Sequence, residues 1–225
     1  MTILQGDAGE LIKAVVLVVA ALFPIVNPIG SAAIFVDMTG PISAQLRNLL
    51  ARKISIFSFL LLMGSMLFGA KILTFFGVTL YAVQIGGGLV VVATGWSLLI
   101  QTGSRATARS ATDSDILDNA FYPYTLPITV GPGSISVAIT LGANLPLQCH
   151  ALSFLAPVVL MASFIGVILI CVSVYMSCRF VNVGERILGT SCTSVLMRLL
   201  SFITMCIGVQ IMANGIRSYL TLVHK

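Results

Sequence analysis

"LFPIVNPIG", residues 22–30, sets two prolines, an asparagine and a glycine inside an otherwise apolar run. A second interruption, "LPITVGPGS", follows at residues 126–134. Each carries a helix-start signal. Asn and Gly suit the position just before a helix, and Pro suits its first turn, where no N–H is needed. The stretch before each proline ends because the preceding residue disfavours helical torsions and Pro cannot continue the hydrogen-bond ladder. New helices are therefore expected at Pro28 and Pro132, each starting part-way along an apolar segment.

The surrounding composition makes those segments membrane spans. Of 225 residues, 58% are hydrophobic and only 8% charged, against about a quarter charged in soluble domains. Mean hydropathy is +1.07. The length suits roughly six spans of about 20 residues each, and these are read at residues 11–38, 54–76, 79–101, 121–145, 152–178 and 196–220. The expected fold is thus an all-α membrane protein in a single transmembrane domain. The N-terminal "MTILQGDAGE" lacks the basic start of a secretory signal, so the first apolar run is read as a retained span. The connections at Phe76–Val78 and at residues 145–150 are short and predict tight hairpins.

Charge placement predicts orientation. Arg47, Arg52, Lys53, Arg105, Arg109, Arg179, Arg186 and Arg198 cluster on connections one, three and five, whereas Lys13, Lys71, Arg217 and Lys225 fall on the other side. The excess puts the long connections in the cytoplasm and both termini outside. The net charge of +5 then reflects topology and contact with anionic lipid, with no nucleic-acid motif to suggest another partner. Cys149, Cys171, Cys178, Cys192 and Cys206 show no metal-ligand spacing and read as small packing residues. No cofactor or metal is implied.

Laying Asn27-Pro28 over Gly131-Pro132 pairs span one with span four, and "QIGGGLVVVAT" (84–94) then lies over "RLLSFITMCIG" (198–208). Three spans per copy is an odd number, so the second copy enters the membrane from the other side, giving two inverted three-helix repeats. Repeat one covers about 10–101 and repeat two about 121–222, with a Ser-, Thr- and Asp-rich linker at 102–120. In this frame spans one and four are each broken into half-helices whose N-termini meet near the midplane. Exposed N–H groups and the positive dipole ends there suit a carboxylate or other small anionic group. Gly30, Gly131 and Gly133 allow close approach to the backbone, and Ser31, Thr129 and Ser134 add hydroxyls, so a small zwitterion is expected to fit.

These same stretches, "NPIG", "LPITVGPGSIS", "IGGGLVVV" and "GVQIMANGI", resemble the MarC family of six-span bacterial inner-membrane proteins across essentially the whole chain. The resemblance implies an inverted-repeat, transporter-like fold in the bacterial inner membrane. Characterised relatives are described as transporters of small neutral amino acids, and many members have no established substrate. The family's NP and GPG motifs fall on Asn27, Pro28, Gly131, Pro132 and Gly133. Members often carry Arg where this sequence has Gln84, which removes an intramembrane charge.

Other features have two readings each. Proline kinks occur in membrane helices that bind nothing, though a matched pair favours a site. Gly86, Gly87, Gly88 and Gly95 are read first as close-packing positions. Gln84, Gln210 and Asn214 either line a polar path or bond across helices. Arg198 is expected to snorkel to the interface, and Trp96, Tyr122 and Tyr124 to anchor span ends there. Asp7, Glu10, Asp37, Asp113, Asp115, Asp118 and Glu185 all avoid span centres, so no proton relay is indicated. Sodium held by carbonyls near 24–27 and 127–131, or uncoupled diffusion, stays open. His150 and His224 lie off the spans and hydrolase motifs are lacking, so the sequence argues against an enzyme. A transporter of small neutral solutes working by alternating access is the leading reading. The alternative is a structural or assembly protein; a homo-oligomer fits either.

Overall fold

The computed structural model describes residues 2–39, 42–100, 117–148 and 156–223; within these, the side chains of 2–8, 37, 145–148, 156–159, 181–194, 196 and 222–223 lie outside the described set. The expectations for most of the linker at 102–119, for the side chain of Asp37, and for His150 and His224 fall outside it too.

All the described secondary structure is helical. The helices are α1 (Thr2–Val26), α2 (Pro28–Thr39), α3 (Ala44–Phe75), α4 (Leu80–Ile100), α5 (Ala120–Thr129), α6 (Pro132–Gln148) and α7 (Ala156–Val223). Five stretches are long and apolar enough to cross a membrane, and a sixth arises if the bent pair α5 and α6 forms one span.

Helix α3 starts at Ala44, ten residues before its expected span. Ser43 caps it, its hydroxyl accepting the Leu46 N–H at 3.1 Å. The intervening "AQLRNLLARK" is rich in strong helix formers, so the helix runs on past the apolar stretch. At its other end the short hairpin appears as expected. Gly77 has φ +68°, Val78 N–H reaches Leu73 O at 2.9 Å and Gly77 N–H reaches Thr74 O at 3.1 Å. This is the helix stop that a left-handed glycine permits.

Helix α7 cannot be straight. Gly166 packs against Val18 while Thr204 bonds to Pro24, so two α7 positions 38 residues apart touch α1 positions six apart. At 1.5 Å per residue, a straight helix would separate the first pair by about 57 Å and the second by about 9 Å. The helical chain therefore doubles back between its two apolar arms, Leu160–Phe180 and Met197–Thr221.

Glycines set how closely the second arm approaches α4. A Cβ on Gly88 would lie 2.8 Å from Gly208 O, one on Gly95 2.8 Å from Met205 N, and one on Gly208 2.7 Å from Val92 N. The pairing is antiparallel, and backbones meet directly where hydrocarbon chains offer no hydrophobic drive. The three consecutive glycines of α4 face three ways: Gly86 has open space, Gly87 meets Ser136 of α6, and Gly88 meets the second arm of α7. The main core lies between α1, α3 and the first arm of α7, where Val18, Leu22, Leu50, Leu62, Val167 and Ile170 are completely buried. Cys171 and Cys178 join it as free thiols, whereas Cys206 is exposed.

Gly95→Leu is expected to destabilise the protein by about 1–3 kcal/mol, the usual cost of overpacking. Gly86→Leu, with open space around it, is expected to stay near wild type. Thermal loss of the monodisperse peak in detergent compares the two.

Candidate functional site

The two interruptions differ in form. At the first, Asn27 alone leaves the helix, with φ +44°, a left-handed conformation that Asn tolerates better than most residues. Its N–H still bonds Phe23 O and its C=O still accepts from Ser31 N–H, both at 2.9 Å. The axis therefore carries on, and Gly9–Val36 acts as one 28-residue span rather than two separated half-helices. The second interruption is sharper: α5 and α6 are bent by 69°.

Pro123 and Pro127, four residues apart, keep α5 from winding as an α-helix. Both precede-proline peptides, Tyr122–Pro123 and Leu126–Pro127, are cis, and Tyr122 and Leu126 have non-helical torsions. The turns are wide: Val130 N–H reaches back five residues to Thr125 O at 2.8 Å. Tyr124, expected at the interface, is instead buried edge-on against Phe35 with centroids 5.8 Å apart. Its neighbours on α5 point it inward toward α2. Tyr122 and Trp96 are exposed.

Helices α2 and α5 run antiparallel, since Phe35 meets Tyr124 and Ser31 meets Ile128. Carried back one turn, this register sets Pro28 opposite Gly131. The site therefore lies where the chain is interrupted twice. Asn27, Ser31, Thr129 and Ser134 are all buried there.

The polar atoms can be followed one by one. Asn27 Oδ1 accepts the Gly30 N–H at 3.2 Å, the capping bond expected of this residue. That takes the donor away from Val26 O, which accepts the Ser31 hydroxyl instead, at 2.9 Å. Pro28 has no N–H for Pro24 O, and Thr204 of α7 donates to that carbonyl at 2.9 Å. Pro132 has none for Ile128 O, which lies 3.4 Å from the Ser31 hydroxyl. Thr129 donates to Tyr124 O at 2.8 Å and Ser134 to Gly131 O at 2.9 Å. One group stays over: among the described residues Asn27 Nδ2 is buried with no partner.

The glycines divide in role. The space beside Gly30 is filled by the Asn27 amide and that beside Gly133 by Val91, whereas a Cβ on Gly131 would meet only Pro127 O, at 3.0 Å. Gln84 is buried and packs at Gly215 of α7. Gln210 and Asn214 bond each other at 3.0 Å on an exposed face, so the structure does not bring these three together. Sequence reasoning missed Thr204, Thr125 and Ser136, whose hydroxyls donate to Pro24 O, Ala120 O and Val83 O. The usable signal was a Ser or Thr in an apolar span of a chain whose prolines leave carbonyls without donors.

Comparison with known proteins gives the family. Residues 12–220 match the family described as MarC family integral membrane protein. The chain belongs to the MarC family. It is 27% identical to the inner membrane protein MarC of Citrobacter koseri over 96% of this chain and 99% of that one. It is 26% identical to MarC of Escherichia coli K12 and 25% identical to that of Salmonella paratyphi B, with the same coverage. No solved structure matches it significantly. This MarC protein is therefore a multi-pass protein of an inner-membrane family.

Thr204→Val is expected to lower stability by about 1 kcal/mol, the scale of an interhelical hydrogen bond in a membrane. Thr94→Val, whose hydroxyl bonds only within its own exposed helix turn, should change little. Unfolding by SDS in mixed micelles measures both.

Proposed function

We propose that this MarC protein moves a small neutral solute, most simply an amino acid, across the membrane by alternating access at the junction of Pro28 and Pro132. The buried, unpartnered Asn27 Nδ2 carries the reading. A buried amide donor without an acceptor costs about 1–3 kcal/mol, and a bound carboxylate removes that cost. The nearby start of α6 adds N–H groups and a dipole end of the favourable sign.

The hydroxyls complete a zwitterion site. Ser31, Thr129 and Ser134 direct their hydrogens at backbone carbonyls, so their oxygens present lone pairs to a substrate ammonium group. Pro28, Gly30, Gly131, Pro132 and Gly133 shape the backbone around them, with Gly131 leaving the most room. Burial of these polar side chains corresponds to an occluded state, and the substrate enters when the two halves part. The two halves act as inverted repeats on either side of the site.

The alternative, a structural or assembly role, draws on one observation: every hydroxyl at the junction has a backbone carbonyl to serve. On that reading Ser134→Ala changes stability without changing any ligand response.

The test is uptake of radiolabelled glycine, alanine and serine into proteoliposomes, with and without sodium and proton gradients. Saturable uptake is expected. Asn27→Asp keeps the capping oxygen but replaces the free donor by a negative charge, and is expected to raise KM at least about ten-fold while the protein remains folded. Absence of saturable uptake under every gradient overturns the proposal.

A further inference from the structure

A groove of about 450 Å³ runs between α3 and the first arm of α7, far along the chain from the junction of the two interruptions. Its walls include Arg52, Ser55, Ile56, Phe59, Ile168 and Val172. The two helices are antiparallel here, because Phe59 stacks edge-on with Phe164 at 5.5 Å and Asn48 bonds Tyr175. One end of the groove is therefore apolar and the other carries arginine.

The arginine end is organised. Tyr175 donates to Asn48 Oδ1 at 2.6 Å and accepts from Arg179 Nη1 at 2.8 Å, and the Arg179 guanidinium lies over the Tyr175 and Phe180 rings at 5.8 and 5.2 Å. This holds Arg179 beside the mouth, where among the described residues one of its five N–H donors is taken up. Arg52 stands in the wall of the same mouth. Among the described residues neither arginine pairs with an acidic side chain. A second cavity of about 270 Å³, lined in part by Gln45, Asn48 and Arg179, adjoins this end and is more polar. One helical turn deeper than Arg52, about 4.5 Å along the axis, the Ser55 hydroxyl is buried without a partner among the described residues.

We propose that this groove is a binding site for one anionic phospholipid. Its phosphate sits between Arg52 and Arg179, its polar headgroup enters the smaller cavity, an ester carbonyl accepts from Ser55, and an acyl chain lies along Ile56, Phe59, Ile168 and Val172. The order of chemistry along the groove, cation then hydroxyl then hydrocarbon, is the order of chemistry along the lipid. Exposed Ile56 and Val172 place the slot on the outer surface of the bundle, open to the bilayer from the side. Two cations with no neutralising acid among the described residues distinguish it from the apolar surface around it.

Native mass spectrometry of the full-length protein in detergent, titrated with phosphatidylglycerol or phosphatidylcholine, tests the site. Wild type is expected to retain phosphatidylglycerol preferentially. Arg52→Gln with Arg179→Gln should cut that preference at least about ten-fold, given about five-fold per arginine near a lipid surface. Val172→Trp, which fills the slot and leaves both arginines, should reduce phosphatidylglycerol retention, whereas Arg198→Gln with Arg217→Gln on the second arm should not. An unchanged preference in the Arg52/Arg179 double variant overturns the proposal. So does wild-type retention by Val172→Trp, or an equal fall in the Arg198/Arg217 control, since either would mean diffuse attraction by net charge. Size-exclusion profiles of each variant establish that it is folded before lipid is added.

Discussion

A carbonyl that loses its hydrogen-bond donor inside a bilayer must find another, because there is no water in the hydrocarbon to supply one. Pro28 and Pro132 create that demand at Pro24 O and Ile128 O: Thr204 supplies a hydroxyl to the first, and the Ser31 hydroxyl, whose hydrogen points at Val26 O, stands 3.4 Å from the second. These bonds are long-range in sequence and short in space. They tie α1 to the second arm of α7, and α2 to α5, at the depth where the chain is interrupted. Much of the arrangement follows from meeting that demand without water.

The same requirement explains why the two interruptions look different. At Asn27 one side chain repairs most of what Pro28 breaks: its backbone stays in the ladder and its amide oxygen caps α2. Little bending is then needed. Around Gly131 there are three prolines within ten residues, at 123, 127 and 132, too many for one cap. The chain there abandons the α-helix, widens its turns, and bends by 69°. Thr125, Thr129 and Ser134 each return a hydroxyl to a carbonyl three to five residues back. The helices around these breaks are regular by comparison. Gly88, Gly95 and Gly208 seat α4 against the second arm of α7 backbone to backbone, so an irregular centre is framed by close-packed walls.

Much of this was legible in the residues. Six apolar stretches, the hairpin at Gly77, the capping role of Asn27 and the helix starts at Pro28 and Pro132 all follow from local rules of hydropathy and backbone torsion, which need no neighbours to operate. Helix α3 begins ten residues before the apolar stretch read as its span, because hydropathy marks the apolar part of a helix, whereas Ser43 and the helix-forming residues after it decide where winding begins. Tyr124 was misplaced for a related reason: an aromatic near a span end is ambiguous until the twist of α5 turns it toward Phe35.

By itself, then, the sequence determined that this chain lives in a membrane, where it crosses, and where its backbone is interrupted, since each depends on residues within a few positions of one another. Tertiary structure decided which groups answer the interruptions, which glycine faces which helix, and that Asn27 Nδ2 remains without a partner. It also decided that Arg52, in the wall of the groove, and Arg179, bonded to Tyr175 of the same wall, come to one end of it although they are more than a hundred residues apart. Those outcomes depend on how antiparallel helices come into register across the bundle, and register is fixed by packing between distant segments, which no local pattern encodes.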